Sequence, residues 1–192
     1  MYSYKEVDIY IDGAAKGNPG PAGAGVYITM VKDKNQPYQK PNTILKKSYN
    51  LGRQTNNVAE YIALLQAVRL AKKLGVRKIH IYSDSQLVVN QMKGTFQVKS
   101  ISIQKIKNII DRYLDSFETY DLTYIPRDQN READVLANIG VRQGEQLDLD
   151  IDILKNNKTD LENQLRKNPT DVSIKNKLVL NEQELNNLTI DF

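Results

Sequence analysis

The stretch TNNVAEYIALLQAVRLAKKLGVRKIHIYSDSQ, residues 55–86, decides the fold because a helix pattern is followed by a strand pattern. Apolar residues recur at helical spacing over Thr55–Leu74, and Gly75 stops the run. Lys78–Tyr82 then predicts a short, mostly apolar strand. A strand that follows a helical crossover is expected to pair in parallel with an earlier strand, through a right-handed connection.

Three strands are predicted upstream of this helix. Alternating apolar residues indicate strands at Val7–Ile11, Val26–Met30 and Ile44–Leu51. Gly13–Gly25 is rich in Gly, Ala and Pro and predicts a turn, and Lys32–Pro41 predicts a polar loop. Because the three strands are close along the chain, antiparallel hairpins are the expected connection.

Helices and one more strand are predicted downstream. The pattern indicates helices at Ser85–Met92, Ser100–Phe117 and Arg131–Val141, with a strand at Leu122–Ile125. The chain therefore predicts an α/β fold in which a mixed five-stranded sheet is flanked by helices.

Four acidic residues each occupy a motif on this scaffold. Asp12 and Asp84 end predicted strands, Glu60 lies about one turn into the long helix, and Asp134 lies in the closing helix. The carboxyl ends of parallel strands meet at one edge of a sheet, so Asp12 and Asp84 are expected to be neighbours. Converging carboxylates repel one another unless a cation lies between them. The pattern therefore predicts a metal site.

Each acid also has an ordinary structural interpretation. Asp12 can begin a turn, Glu60 can be an acid favoured by the helix dipole, and Asp84 can cap the next helix. Asp134 can be a solvated surface residue. Read alone, Glu60 and Asp134 favour these interpretations, whereas Asp12 and Asp84, as two acids that end strands, favour a metal site. At Asp84 capping and metal binding can coexist.

The composition argues against several other chemistries. The chain has no cysteine, which excludes disulfides, thiolate metal sites and cysteine nucleophiles. A single histidine, His80, argues against a histidine-based zinc site. No apolar run reaches the roughly 20 residues that span a bilayer, and the polar N-terminus is unlike a signal peptide. We therefore expect a cytoplasmic protein with no membrane partner.

Charge is unevenly divided along the chain. Residues 1–144 carry 21 basic and 13 acidic residues, a net charge of +8, whereas residues 145–192 carry 6 and 10, a net charge of −4. The first segment is therefore the expected polyanion binder.

The four motifs resemble, in order, those of the type 1 ribonucleases H over roughly residues 4–142. The matching sequences are YIDG around Asp12, TNNVAE ending at Glu60, DSQ beginning at Asp84 and READVLA around Asp134. The resemblance implies the ribonuclease H-like fold and an endoribonuclease that cuts the RNA strand of RNA/DNA hybrids, leaving 3′-hydroxyl and 5′-phosphate ends. It implies two Mg²⁺ ions, with Mn²⁺ as a substitute.

The resemblance also implies a role for each acid. Asp12 would bridge the two ions, and Glu60 would ligate one of them and contact the ribose 2′-hydroxyl. Asp84 would ligate a metal and orient the attacking water, and Asp134 would ligate the second metal. Glu132, the nearest alternative acid, is expected to point away if Asp134 points in.

Further matches concern the nucleic acid. Contacts to the 2′-hydroxyl distinguish RNA from DNA, and the resemblance implies such contacts together with one to a DNA phosphate. At Asn56 and Asn57 the ordinary interpretation is that either side chain caps the long helix. The expected substrate-binding residues are Gly13, Asn18, Thr55, Asn56, Asn57, Gln86 and Arg127.

Two features depart from the fullest family pattern. The loop Ile125–Asn130 lacks a histidine and resembles a histidine-less subgroup of archaea and some bacteria. We expect Arg127 to take part of that role, by contacting phosphate or aiding product release, and His80 to be structural. The segment Gly94–Ser100 is short and the chain has no tryptophan, so the family's basic handle is absent. Affinity is then expected to depend on scattered Lys and Arg, on the tail or on a partner.

The tail, residues 145–192, is predicted to be a separate domain beside a catalytic domain at 1–144. We expect an acidic linker that includes Leu147–Asp152, followed by a helical hairpin. A capping box is predicted at Thr159–Glu162 and a break at Asn168–Pro169. Acidity makes this segment a poor grip for nucleic acid, so we expect it to pack on the core, to self-associate or to bind a protein partner.

Two alternatives to hybrid cleavage remain open from the sequence. The missing histidine and handle fit a non-catalytic module that binds hybrids or RNA, although a pure binder gains nothing from carboxylates that face phosphate. The same fold and metal site also fit a nuclease for double-stranded RNA or for DNA, because the four acids do not discriminate among these substrates.

Overall fold

The computed structural model describes residues 4–31 and 42–189. The chain divides into two compact units, Met1–Arg142 and Gln143–Phe192. The polar loop predicted at Lys32–Pro41 lies outside the described residues. Within the described ranges, no helix is both long enough and apolar enough to cross a membrane.

The first unit is built on a mixed five-stranded sheet, as predicted. Its order is β3-β2-β1-β4-β5. Strand β2 is antiparallel to β1 and to β3, whereas β4 is parallel to β1 and to β5, which confirms the crossover pairing. The strands are β1 Glu6–Ala15, β2 Gly20–Met30, β3 Thr43–Gln54, β4 Lys78–Ser83 and β5 Thr119–Tyr124.

Each predicted helix is present, and an N-terminal capping residue fixes where each of α1, α2 and α3 begins. Thr55, Ser85 and Ser100 cap α1, α2 and α3 through side-chain oxygens that accept a hydrogen bond from the backbone N–H three residues on. The helices are α1 Asn56–Lys73, α2 Gln86–Met92, α3 Ile101–Leu114, α4 Arg131–Lys167 and α5 Val172–Thr189, with a 3-10 turn at Arg127–Gln129 before α4.

Two capping predictions were wrong. Thr55, rather than Asn56 or Asn57, caps α1, because its hydroxyl reaches the N–H of Val58 at 3.4 Å. Ser85 caps α2 in the same way, so the carboxylate of Asp84 is not occupied as the helix cap.

The hydrophobic core lies between the sheet and helices α1 and α3. Alternate residues of β1 and β4 are fully buried on this side, and they meet apolar residues of α1 and α3. Burying a valine, isoleucine or leucine side chain stabilises the fold by about 1.5–3 kcal/mol. The core fixes the register in which β1 and β4 end side by side, including the pairs Ile9 with Ile81 and Ile11 with Ser83.

The glycine-rich stretch at Gly13–Gly25 is mostly strand, which corrects the predicted turn. Strand β1 continues to Ala15 and β2 starts at Gly20. The glycines are needed for close backbone approach: a Cβ on Gly13 would lie 2.1 Å from the nitrogen of Glu60. Small residues therefore let a helix pack directly onto the strand.

The closing helix is longer than predicted, and the predicted linker is helical. Helix α4 continues beyond Val141 to Lys167. Thr159 lies inside it and its hydroxyl donates to the carbonyl of Lys155 at 3.0 Å, so no capping box forms there. The break at Asn168–Pro169 is confirmed, because proline cannot continue a helix.

The second unit is a helical hairpin, as predicted for its later part. The second half of α4 and helix α5 are joined by a short turn and run antiparallel. An ion pair of 2.8 Å joins Lys158 on α4 to Glu182 on α5. Leu154, on the second half of α4, is buried.

Candidate active site

Three of the four predicted acids meet at one edge of the sheet. One carboxylate oxygen from each of Asp12, Glu60 and Asp84 lies within 4.8 Å of the others. Asp12 comes from β1, Asp84 follows the end of β4, and Glu60 projects from the second turn of α1. They line a cleft of about 540 Å³. The parallel pairing of β1 and β4 brings the two aspartates together, as the sequence predicts.

Glu60 is held by the backbone of the strand that carries Asp12. The N–H of Gly13 donates to Glu60 Oε2 at 3.2 Å. This bond needs the close approach of α1 to β1, which only a glycine at position 13 permits. Gly13 therefore positions a carboxylate, and it also lines the cleft as predicted.

Asn130 is a site residue for which the sequence predicted no role. Its amide Nδ2 donates to the carbonyl oxygen of Ile11 at 2.8 Å and to Asp84 Oδ1 at 2.9 Å. The side chain is 1% exposed. The only signal for it in the sequence is an amide just before the closing helix, a position where capping is the usual interpretation. Asn130 thus ties the start of α4 to the ends of β1 and β4.

The cluster is electrostatically strained without a cation. Burial, and then the charges of Asp84 and Asp134, raise the pKa of Asp12 to about 7. Burial also raises the pKa of Glu60, and the charges of Asp12 and Asp84 add to that effect. Asp12 and Glu60 are each only 6% exposed. Positive charge in the cleft would relieve this repulsion.

Asp134, the fourth predicted acid, forms an ion pair of its own. Arg127 Nη2 donates to Asp134 Oδ1 at 2.5 Å. Asp134 still lies near enough to Asp12 for its charge to raise the pKa of that residue. Glu132, by contrast, forms an exposed ion pair of 2.7 Å with Lys46, as its assignment to the outer face predicts.

The predicted substrate residues lie in and around the cleft. Asn56 and Arg127 line it with Gly13. The N–H of Asn56 donates to Asn18 Oδ1 at 3.1 Å, so Asn18 sits beside the start of α1. Thr55 caps α1, whereas Asn57 and Gln86 are exposed in the first turns of α1 and α2. These residues flank the acids, and their predicted contacts remain predictions.

Other cleft residues were not predicted. Tyr124, at the end of β5, is 41% exposed and lines the cleft. Ser85 and Asn138 line it too, and Asn138 Nδ2 donates to the carbonyl of Asp134 at 2.8 Å. A tyrosine at the end of a strand carries no signal that separates it from an ordinary sheet residue.

His80 lies away from the cleft. Its Nε2 is 2.7 Å from Glu6 Oε1, and its Nδ1 is 3.5 Å from Asp121 Oδ2. The hydrogen bond to Glu6 raises the pKa of His80, and Asp121 adds to that effect. These contacts lie within the sheet, between β1, β4 and β5.

Comparison with known proteins identifies the family. The profile of the family described as Reverse transcriptase-like matches residues 10–140. The crystal structure of RNase H1 from Halobacterium salinarum superposes with a TM-score of 0.66 at 32% identity, covering 72% of this chain and 98% of that one. The chain belongs to the type 1 ribonuclease H family. The predicted family and fold are therefore confirmed.

Other relatives set the extent of the match. Ribonuclease HI of Halobacterium salinarum is 36% identical over 132 residues, which are 69% of this ribonuclease H chain and 62% of that protein. The bifunctional protein Rv2228c of Mycobacterium tuberculosis is 37% identical over 134 residues, 69% of this chain and 35% of that protein. The chain thus spans less than two thirds of the length of these curated relatives.

A further solved structure has a nucleic acid bound. LC11-RNase H1, in complex with an RNA/DNA hybrid, superposes with a TM-score of 0.63 at 34% identity. The match covers 71% of this chain and 97% of that one.

Proposed function

We propose that this ribonuclease H hydrolyses the RNA strand of RNA/DNA hybrids, leaving 3′-hydroxyl and 5′-phosphate ends, with residues 1–144 as the catalytic domain. The observation that carries this proposal is the cluster of the buried Asp12 and Glu60 with the half-buried Asp84. The likeness to LC11-RNase H1, whose structure contains a hybrid, supports the choice of substrate.

The residues of the cleft fit divalent cations. Carboxylate oxygens are the ligands that Mg²⁺ prefers, and burial together with the charges of Asp84 and Asp134 raises the pKa of Asp12. Asp12, Glu60 and Asp84 would hold the metal, and Asp134 would contribute to a second site. When bound, Mg²⁺ or its substitute Mn²⁺ supplies the positive charge that activates a water and stabilises the leaving oxygen.

Hydrogen bonds from other residues of the site hold two of the carboxylates in place. Asn130 fixes the orientation of Asp84, and the N–H of Gly13 fixes that of Glu60. Hydrogen bonds of this kind orient carboxylates before a metal or substrate binds. Arg127 is 76% exposed at the mouth, where its guanidinium can move from Asp134 to a substrate phosphate.

Discrimination between RNA and DNA is assigned to the cleft wall. Gly13 and Asn56 line the cleft beside the acids, and Asn18 is hydrogen-bonded to Asn56. Backbone and amide groups in this position can contact a ribose 2′-hydroxyl, the group that DNA lacks. We infer that Asn57 and Gln86, exposed at two helix starts, add contacts to the same strand, and that Thr55 contacts a DNA phosphate.

The testing experiment is cleavage of an end-labelled RNA/DNA hybrid in Mg²⁺ and in Mn²⁺, beside duplex RNA, single-stranded RNA and duplex DNA. Asp12→Asn is expected to reduce cleavage at least about 1,000-fold, because it removes a carboxylate from the cluster. The matched control is Asp8→Asn, since Asp8 lies on the same strand, is also 6% exposed and lies outside the cluster.

The outcomes separate the candidate functions. Cleavage confined to the RNA of the hybrid, lost in Asp12→Asn and kept in Asp8→Asn, supports the proposal. Equal cleavage by Asp12→Asn and wild type would refute the metal site. Hybrid binding without cleavage in either metal would support the non-catalytic module, and cleavage of duplex RNA or DNA would change the substrate.

A further inference from the structure

The helical hairpin of the second unit has the sequence pattern of a coiled coil. Seam residues alternate at spacings of four and three from Leu147 to Leu165 on α4, and from Ile174 to Leu185 on α5. Most of these seam side chains remain partly exposed within the hairpin. Two helices of this length therefore leave their shared seam incompletely covered.

One polar residue interrupts the seam of α5. Asn181 is 8% exposed, and its Oδ1 has no hydrogen-bond partner among the described residues. A buried acceptor without a partner destabilises the folded unit. A single Asn at such a position commonly sets the register and number of helices in a coiled coil, because it pairs with another Asn. The residue lies at the middle of α5, which spans Val172–Thr189.

The hairpin has opposite charges at its two ends. At the open end, residues 143–154 and 182–189 contain six acidic residues and no basic one, a net charge of −6. Residues 155–181, which include the turn, contain six basic and three acidic residues, a net charge of +3. Two hairpins side by side would repel if parallel and attract if antiparallel.

Apolar side chains are also exposed on both helices. Leu149 and Ile153 on α4 are 54% and 49% exposed, and Val179 and Leu180 on α5 are 52% and 64% exposed. These residues lie outside the seam positions, so any contact that they make in a bundle is outside its core.

We propose that the hairpin binds a second copy of itself in antiparallel orientation, so that the chain is a dimer joined by a four-helix bundle. The acidic open end of each copy lies against the basic turn end of the other. The two-fold axis passes near the middle of α5. The interface is isologous and closed, so assembly stops at two copies.

The first measurement is the mass of the full chain by sedimentation or light scattering at about 0.05 M salt, where charge pairing is little screened. The expected mass is twice the 21.9 kDa of one chain. A wild-type mass of one chain at concentrations up to about 100 μM would overturn the proposal, because an intermolecular bundle is expected to be micromolar or tighter.

Charge reversal tests the antiparallel arrangement. The basic variant replaces Glu145, Asp148, Asp150 and Asp152 with Lys, which changes the open end from −6 to +2, and the acidic variant replaces Arg166, Lys167 and Lys175 with Glu, which changes the turn end from +3 to −3. Each variant alone is expected to have the mass of one chain, because both ends then carry the same charge. An equal mixture of the two is expected to form dimers, and so is the chain that carries all seven changes, in which the open end is +2 and the turn end −3.

Controls distinguish this result from unfolding. Circular dichroism should give the same helix content for each variant, and Lys99→Glu/Lys105→Glu, exposed on the first unit, should remain dimeric. Dimers of the basic or acidic variant alone, or a failure of the mixture to associate, would overturn the charge-paired arrangement. Mass does not depend on cleavage, so this result and that of the hydrolysis assay are independent.

Discussion

At the scale of single residues, the guanidinium of Arg127 occupies Asp134 with a positive charge that a metal ion could otherwise supply. The guanidinium bonds the one predicted acid that lies outside the three-carboxylate cluster. The carboxyl group raises the pKa of Arg127, so this side chain stays charged throughout the working range of pH. A metal ion that bound Asp134 would therefore have to compete with Arg127 for its carboxylate.

Arg127→Ala is expected to tighten Mn²⁺ binding by about twofold to fivefold, because an exposed ion pair contributes up to about 1 kcal/mol. Calorimetric titration of the hybrid-free protein measures this change. Arg131→Ala is the matched control, since it removes the same charge from an exposed residue at the start of α4. Unchanged affinity in Arg127→Ala would show that the pair does not compete with the metal.

The sequence predicts the acids better than their supports. Asp12, Glu60 and Asp84 each lie in a recognisable motif, and the structure brings their carboxylates together as the sequence predicts. Asn130 could not be predicted, because its partners are a backbone carbonyl 119 residues away and a side chain on another strand. Such a bond depends on the packing of α4, which no local pattern encodes.

At the scale of elements, the start of α4 packs directly onto β2. A Cβ on Gly25 would lie 2.2 Å from the carbonyl oxygen of Ala133, and one on Gly23 would lie 2.2 Å from that of Ala137. This contact explains why the glycine-rich stretch is strand where the sequence predicts a turn. The full length of α4 was missed for a different reason. The alternation of Asp with Leu or Ile at Leu147–Asp152 suggests a linker, and only the spacing of the apolar residues over a longer stretch indicates a helix.

Gly25→Ala is expected to lower the free energy of unfolding by about 1–3 kcal/mol and to weaken metal binding, because α4 carries Asp134 and must shift outward. Gly94→Ala is the comparison: it meets no atom within 4 Å but has a φ of +76°. Gly94→Ala should lower the free energy of unfolding by about 1 kcal/mol and leave metal affinity unchanged. Urea unfolding and Mn²⁺ titration measure the two effects, and equal loss of metal affinity in both variants would contradict this account.

At the scale of the whole molecule, the acid cluster couples stability to pH and metal. A carboxyl group with a raised pKa holds its proton more tightly in the folded than in the unfolded chain. Its contribution to stability is therefore full below its ordinary pKa of 3.8 and is lost as the pH rises through about 7. The metal-free first unit should be less stable at pH 8 than at pH 5.

Between pH 5 and pH 8, without metal, wild type is expected to lose about 2–3 kcal/mol more than Asp12→Asn, which has no group to ionise at this position. Unfolding by urea at each pH, with and without Mg²⁺, measures the difference. The titration of His80 is common to both proteins and cancels. Parallel losses in the two proteins, or equal stabilisation by Mg²⁺, would contradict the assignment of Asp12.

The bond from Asn130 to Ile11 also has a consequence for how the protein is made. Ribosomes add roughly 5–20 residues per second, so the 119 residues that separate this pair take about 6–24 seconds to synthesise. Until then a nascent chain can carry Asp12, Glu60 and Asp84, but it lacks the amide that joins their strands and the helix that covers them. The cleft can therefore be completed only after Asn130 and the start of α4 have been synthesised, so assembly of the site comes late in the translation of the first unit.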